Sequence, residues 1–149
     1  MKTTILAPST RLGGYCVRFY DDSGSEEHVI VDDHIPVDQE GRPAFVASKD
    51  VGELWPVVIE TAYARMNESY QNIEAGKVQY ALADLTGGVP EEIKLSAVEN
   101  KLSAFWRKIQ SYHEGGYLMG AGTPEHELGD RAINDMGIVQ GHAYSILDV

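Results

Sequence analysis

The sequence predicts an α+β fold, because strand-like and helix-like segments occur in blocks and do not alternate along the chain. Apolar side chains alternate at residues 15–20 and 28–31, on either side of a turn at 21–24, and this pattern indicates a β-hairpin. Apolar residues at helical spacing follow in the middle of the chain. A last alternating segment at 142–147 predicts a strand near the end of the sequence.

The composition narrows the classes of function. The 149 residues carry a formal net charge of −11, from 12 Lys and Arg against 23 Asp and Glu, without a basic stripe. Because nucleic acid binding needs positive side chains to neutralise phosphates, no nucleic acid partner is expected. No apolar run is long enough for a membrane span, and the N-terminus has no secretory signal pattern. A single cysteine fits a reducing compartment, so a cytoplasmic location is expected.

Several segments outside the main pattern receive weaker predictions. Residues 1–13 are expected to form a disordered or frayed N-terminus. Residues 38–43 indicate a second turn, rich in turn-forming residues. Short strands are predicted at 91–95 and at 117–121.

The strongest helix prediction lies in the middle of the chain. Four apolar residues keep helical spacing: Leu54, Val58, Ala62 and Met66. Ser48 or Asp50 is predicted to cap the helix, and Pro56 is tolerated in its first turn. Trp55 widens the apolar face, so a central and largely buried helix is expected.

Two further helices are predicted. One covers residues 77–85 and ends at the glycine pair of residues 87–88. Another begins at a capping box formed by Ser96 and Glu99. Its apolar face is expected to carry Leu102, Phe105, Trp106 and Ile109.

A Gly–His pair, Gly141 and His142, stands at the mouth of the last predicted strand. Glycine lets another backbone approach closely, and imidazole titrates near neutral pH, so the pair suits acid–base chemistry on a peptide. A histidine in such a position also commonly serves as a hydrogen-bonded structural residue. The pair alone leaves both interpretations open.

Six blocks follow one another along the chain: GYCVRFYDD, VIVDDHIPVDQEGRPAF, ELWPVVIETAYARMNESYQNIEAG, DLTGGVPEEI, LMGAGT and GIVQGHAYSIL. Their order and spacing resemble the catalytic core of calpains, the papain-like cysteine endopeptidases that are usually activated by calcium. The resemblance implies a partial papain-like core. Its domains would be the back of the first lobe at 14–84 and the front of the second lobe at 85–149, with a hinge near 84–90.

The resemblance also implies roles for four residues. His142 matches the general base, which in this family pairs with a cysteine thiol and later protonates the leaving amine. Gly141 and Gly76 match glycines that lie beside the substrate. Glu53 matches a glutamate that binds the calcium of the first lobe, although the helix dipole also favours a carboxylate at the first turn of a helix.

Two catalytic groups of the family have no counterpart in this sequence. The family takes its nucleophile from a Gly-rich Cys-Trp block, whereas the only cysteine, Cys16, matches a strand position and is interpreted as a small buried hydrophobe. The Asn that orients the imidazole would follow His142 in an Asn-Pro-Trp block. The chain by itself is therefore expected not to cleave peptides.

The expected partners follow from the same resemblance. They are a protein or peptide substrate and the remaining part of the protease core. Self-association through uncovered apolar surface is a further expectation. The alternative function is a non-catalytic, calpain-like module that binds a peptide or partner protein without cutting it.

Two acidic groups of residues are candidates for metal sites, and neither has a suitable pattern. His126 lies near Glu125, Glu127 and Asp130, but no ligand spacing matches a known site, and a solvated loop is the preferred interpretation. The acidic residues near Gly41 do not follow the order of a twelve-residue calcium loop.

Overall fold

The computed structural model describes the backbone of residues 5–9, 13–50 and 52–149, and the side chains from residue 13 onward except those of residues 51 and 130. Its strands and α-helices are β1 (Ile5–Ser9), β2 (Gly14–Tyr20), β3 (Glu26–Asp32), α1 (Trp55–Met66), α2 (Val78–Thr86), α3 (Leu102–Glu114), β4 (Met119–Gly122) and β5 (Ala143–Ile146). Helices combined with two small antiparallel sheets confirm the predicted α+β class. Within the described residues, no helix has the length and apolar character needed to cross a membrane.

The chain divides into two compact units. The first unit comprises residues 1–76 and 83–88, and the second comprises 77–82 and 89–149. Helix α2 is shared, because its first residues belong to the second unit and its last residues to the first. The lobe boundary predicted between residues 84 and 85 stays a prediction.

Strands β2 and β3 form the predicted hairpin, in a register that pairs Val17 with Val29. Since side chains alternate between the two faces of a strand, every second residue of the hairpin points toward helix α1. The side chains on this face and two residues of α1 form the buried core of the first unit: Val17, Phe19, Val29, Val31, Val58 and Ala62.

Strand β1 corrects part of the prediction for the N-terminus. Residues 5–9 form an edge strand that pairs antiparallel with β2, where a frayed segment was expected. The free edge of β2 offers backbone donors and acceptors, and pairing satisfies them. Residues 1–4 and 10–12 of the same prediction lie outside the described residues.

Helix α1 confirms the central helix but not its predicted cap. The helix begins after Leu54 without a side-chain cap, so neither Ser48 nor Asp50 caps it. The Ser48 hydroxyl donates to the Glu53 carboxylate at 2.7 Å. Val58 and Ala62 are buried as predicted. Trp55 is 56% exposed, so its predicted place in the buried face is wrong.

The last residues of α2 are fixed to the first unit. The Tyr63 hydroxyl donates to the Asp84 carboxylate at 2.7 Å, and Leu85 packs against the core. Burial, and secondarily the bond to Asp84, raises the pKa of the Tyr63 hydroxyl. Gly87 has a φ of +68° and lies against the Tyr20 ring, where an added Cβ would come within 2.8 Å.

The first residues of α2 are fixed to the second unit. The Gln79 amide and the Lys77 ammonium both donate to the Glu92 carboxylate, at 2.9 and 3.3 Å. Val78 lies so close to Gly120 that a Cβ on that glycine would come within 2.7 Å of it. These contacts tie both ends of the same helix, but to different units.

The segment before α3 differs from its prediction. Residues 91–94 are irregular and the 3₁₀ turns Leu95–Ala97 and Glu99–Lys101 follow, so the strand predicted at 91–95 is wrong. The Glu91 carboxylate accepts hydrogen bonds from Lys108 and Tyr112 of α3, and these bonds hold the segment where it is. Helix α3 also begins without a side-chain cap, so the predicted capping box is wrong.

Three loops share one hydrogen-bond pattern. Each begins with Asp or Asn and has a glycine at positive φ in its fourth position. The backbone carbonyl of the first residue accepts the N–H of the fourth, and the N–H of the first residue donates to the carbonyl of the fifth. The side-chain oxygen of the first residue accepts the N–H groups of the third and fifth residues. These Asx loops, as we name them, are residues 21–25, 38–42 and 134–138.

Candidate functional site

The small sheet of strands β4 and β5 positions His142. The two strands are antiparallel and pair Ala121 with Tyr144 and Gly122 with Ala143. His142 therefore stands directly before β5, opposite Thr123. The predicted strand at the end of the sequence is confirmed.

The backbone of His142 is hydrogen bonded on both sides. Its carbonyl accepts from the Thr123 N–H at 3.0 Å. Its own N–H donates to the Thr123 hydroxyl oxygen at 2.9 Å. Since both groups are engaged, the main chain at His142 has little freedom to rotate.

Hydrogen bonds also hold the residues that precede His142. The Thr123 hydroxyl donates to the Val139 carbonyl at 2.8 Å, and the Gly141 N–H donates to the Pro124 carbonyl at 2.7 Å. Gly141 has a φ of +60°, a left-handed conformation that glycine adopts without steric cost. The predicted Gly–His pair thus stands on a backbone that is held at successive positions.

The imidazole of His142 is exposed and lies beside an aromatic ring. It meets the Tyr144 ring edge to face, with centroids 5.0 Å apart and an interplanar angle of 78°. The Tyr144 hydroxyl oxygen accepts the N–H of Val139 at 3.0 Å, which fixes the ring against the preceding loop. The imidazole is therefore open to solvent on a backbone that hydrogen bonds hold in place.

Gly76 lies in the first unit, whereas Gly141 and His142 lie in the second. Gly76 is exposed, with a φ of +139° and open space around the position of a Cβ. It follows Ala75, whose φ of +66° is uncommon for a residue with a Cβ. The predicted role of Gly76 beside a substrate stays a prediction.

Glu53 is exposed and is the residue that accepts the Ser48 hydroxyl. Among the residues whose side chains are described, no group of three or more His, Cys, Asp or Glu side chains could hold a metal ion. In the predicted acidic patch, the His126 ring accepts the Leu128 N–H at 3.2 Å. The Asp130 side chain lies outside the described residues.

Cys16 stands within β2, where it pairs with Ile30 of β3, and is half-buried. This position agrees with its interpretation as a strand residue. The residues paired with it are Ala7 of β1 and Ile30 of β3, and neither is a histidine.

Sequence reasoning missed Thr123 and Tyr144 as parts of the site. A threonine followed by Pro124, directly after a short apolar strand, is the available signal for Thr123. Proline interrupts a strand ladder, so the preceding side chain is a candidate to replace a lost backbone partner.

Comparison with known proteins identifies the family. The model of the calpain family cysteine proteases matches residues 2–149. The calpain-type cysteine protease DEK1 of Zea mays is 44% identical over 141 residues, covering 92% of this chain and 6% of that protein. The calpain-1 catalytic subunit of Rattus norvegicus is 36% identical over 121 residues, covering 80% of this chain and 16% of that protein. The chain thus spans a small part of these relatives, and it belongs to the calpain family of cysteine proteases.

Proposed function

We propose that the chain is a fragment of a calpain-type cysteine endopeptidase and carries its general base, His142. The observation that carries this proposal is the exposed imidazole beside β5, on a backbone bonded on both sides by Thr123. Family membership supports the same assignment. The chain spans 6% of its maize relative, and the complete activity is proposed only together with the catalytic groups that this sequence lacks.

The proposed reaction is hydrolysis of a peptide bond through a thioester. His142 takes the proton of a cysteine thiol, and the resulting thiolate attacks the peptide carbonyl. The imidazolium then protonates the leaving amine as the carbon–nitrogen bond breaks. His142 next removes a proton from water, which attacks the thioester and releases the acid and the thiol.

The nucleophile of this reaction must come from another part of the protein. Cys16 is in the first unit within a strand, and no family motif surrounds it. We therefore propose that the chain alone is inactive. The rest of the protease core would supply the thiol and the side chain that orients the imidazole.

Gly141 and Gly76 are proposed to contact the backbone of the substrate. The Gly141 N–H is engaged by Pro124, so its carbonyl is the group that it offers to an extended peptide. Gly76 has open space in place of a side chain. Any larger residue at these positions would reduce the access of a peptide to the backbone.

Calcium dependence is part of the proposal only for the larger protein. The described residues do not fit a calcium site by themselves, because six or more oxygen ligands are usual and Glu53 offers one carboxylate. We propose Glu53 as a single ligand, completed by residues from other segments. No step of the reaction is assigned to the ion.

The proposed partners and location rest on exposed surface and on cysteine content. Several apolar side chains of the second unit are exposed, among them Leu102 and Trp106 of α3. We propose that the remaining protease core, or a second copy of the chain, covers part of this surface. The single cysteine, which is free, supports a reducing, cytoplasmic location.

The test is His142→Ala in the full-length protein, with cleavage of a fluorogenic peptide as the measurement. Loss of the base should lower kcat at least about 10⁴-fold, as removal of a member of a catalytic triad does. His28→Ala is the matched control, since His28 is an exposed histidine on β3. Both variants should keep the wild-type melting temperature.

Near-normal cleavage by His142→Ala would overturn the proposal. A wild-type protein that binds the peptide without cleaving it would favour the non-catalytic binding module. Activity restored by mixing the chain with a cysteine-containing lobe would instead support the fragment assignment.

A further inference from the structure

We infer that Thr123 is a positioning residue for His142, and this inference rests on the proposed role of His142 as the general base. Thr123 touches the backbone of His142 and of the preceding loop. It acts on the reaction through the orientation of the imidazole and does not itself contact the reacting atoms.

The β4–β5 ladder continues to the pair Thr123 and His142, where its hydrogen-bond pattern changes. In an antiparallel sheet, a bonded pair of residues exchanges two N–H···O=C bonds. Thr123 and His142 occupy such a pair, but only the bond from the Thr123 N–H to the His142 carbonyl is of this kind. The hydroxyl oxygen of Thr123 accepts the His142 N–H in place of the Thr123 carbonyl.

The reason for the replacement is the path of the chain after Thr123. Pro124 follows, and its carbonyl accepts the N–H of Gly141 at 2.7 Å. The backbone therefore leaves the regular ladder at this position. Without the hydroxyl, the His142 N–H would lose its partner at the point where the strand ends.

The hydroxyl also reaches across the loop to Val139. A threonine hydroxyl has one hydrogen to donate and two lone pairs that accept. Here it accepts from His142 at 2.9 Å and donates to the Val139 carbonyl at 2.8 Å. A second carbonyl, that of His142, lies 3.2 Å from the same oxygen. One side chain thus joins both ends of the segment that carries Gly141.

Tyr144 also holds the segment from Val139 to His142. Its hydroxyl oxygen accepts the Val139 N–H, and its ring meets the imidazole edge to face at 5.0 Å. Both backbone groups of Val139 are therefore bonded, one by Thr123 and one by Tyr144. Proton transfer requires the imidazole within a few tenths of an ångström of its productive position, which a fixed backbone supplies.

The first measurement is amide hydrogen exchange in the full-length protein, with Thr123→Val and Thr123→Ser as variants. Valine keeps the branched shape and removes the hydroxyl, so exchange of the His142 N–H should accelerate about tenfold. Serine keeps the hydroxyl and should stay close to the wild type. Thr61→Val is the matched control, because it removes a hydroxyl hydrogen bond of 2.8 Å, to Tyr70 in the first unit. That variant should leave exchange at His142 unchanged.

The second measurement is peptide cleavage by the same variants and by His142→Ala. Thr123→Val should lower kcat about tenfold while KM changes less than about twofold, because the base is misplaced and the peptide still binds. Thr123→Ser should recover most of the lost kcat. A structural role alone would not produce this split or this rescue.

The outcomes separate the two proposals. If His142→Ala abolishes cleavage but Thr123→Val leaves kcat unchanged, Thr123 is not a positioning residue. Unchanged exchange of the His142 N–H in Thr123→Val would also overturn the inference. If His142→Ala still cleaves the peptide, the general-base assignment itself fails and the positioning role falls with it.

Discussion

The two units are stabilised by different interactions. Among the described residues, the buried apolar side chains belong to the first unit with the single exception of Ala132. The first unit packs a helix on a sheet, whereas the second relies on backbone bonds and on polar side chains such as Glu91 and Thr123. His142 therefore owes its position to hydrogen bonds. Its geometry should respond to the loss of single polar groups more than to changes in the core.

This difference also sets how the units should open. A unit with a buried core unfolds cooperatively, because each side chain depends on its neighbours. A unit with few buried apolar contacts opens locally at lower free energy. The second unit is therefore expected to open locally at a lower free energy than the first.

The largest expected effect is the loss of a core side chain in the first unit. Phe19 is 0% exposed, so Phe19→Ala should lower the free energy of unfolding by about 3–5 kcal/mol. Trp106→Ala is the counterpart in the second unit, where Trp106 is 52% exposed, and it should cost at most about 1 kcal/mol. Urea unfolding followed by circular dichroism measures both. Equal costs would mean that the second unit also depends on a packed core.

A smaller effect is expected from glycines at positive φ, one in each unit. Gly87 and Gly116 have φ values of +68° and +71°, but only Gly87 faces a nearby group, the Tyr20 ring. Gly116→Ala should cost about 1 kcal/mol through its backbone conformation alone. Gly87→Ala should cost about 2–3 kcal/mol, because the ring must also move.

Thermal and urea unfolding of the two glycine variants would test this expectation. The difference in the free energy of unfolding between the two variants measures the cost of the contact with Tyr20. Should Gly87→Ala prove as mild as Gly116→Ala, the last residues of α2 would be less tightly held to the first unit than their contacts imply.

The smallest expected effect is a loss of stability at low pH in one Asx loop, residues 38–42, that the Asx loop of residues 134–138 should not show. The Arg42 N–H is the main group that lowers the pKa of the Asp38 carboxyl below its ordinary value. In the loop of residues 134–138 the same bonds go to the side-chain amide oxygen of Asn134, which does not titrate. A lowered pKa in the folded state stabilises the loop above the unfolded value of 3.8. That contribution is lost as the pH falls through the folded pKa.

Amide exchange between about pH 5 and about pH 2 measures this loss. After correction for intrinsic rates, protection of the Arg42 N–H should fall, while protection of the Ile138 N–H should not. Asp38→Asn is the control, because an amide oxygen accepts the same bonds at every pH. Parallel loss of protection in both loops would contradict the assignment to Asp38.

The fold was predictable where the signal is local. The alternation of residues 15–20 and 28–31 identified the hairpin, because one buried face imposes a period of two. The capping box at Ser96 and Glu99 failed because tertiary bonds from Glu91 to α3 hold the entry segment, and local propensity could not include them. Trp55 failed for the same kind of reason, since helical spacing does not reveal which part of a helix has a partner.

The position of Gly141 and His142 at the start of a strand was predictable, whereas the side-chain bonds that hold them were not. A glycine before a histidine, followed by an alternating segment, placed Gly141 and His142 directly before strand β5, and their catalytic roles stay predictions. The role of Thr123 depends on the register of two strands that are far apart in sequence, and spacing alone does not give that register. Calcium binding and the contribution of Glu53 depend on ligands from other segments, so they stay predictions.

Helix α2 has a consequence for anyone who wishes to produce one lobe alone. A recombinant protein that stops at residue 76 would lack Asp84 and Leu85, and the hydroxyl of Tyr63 would lose its acceptor. One extended to residue 88 would carry Val78 and Gln79 away from their contacts in the second unit. Because the two units share helix α2, a cut between them divides this helix. Separate expression would require redesigned residues on the surface of the retained half-helix.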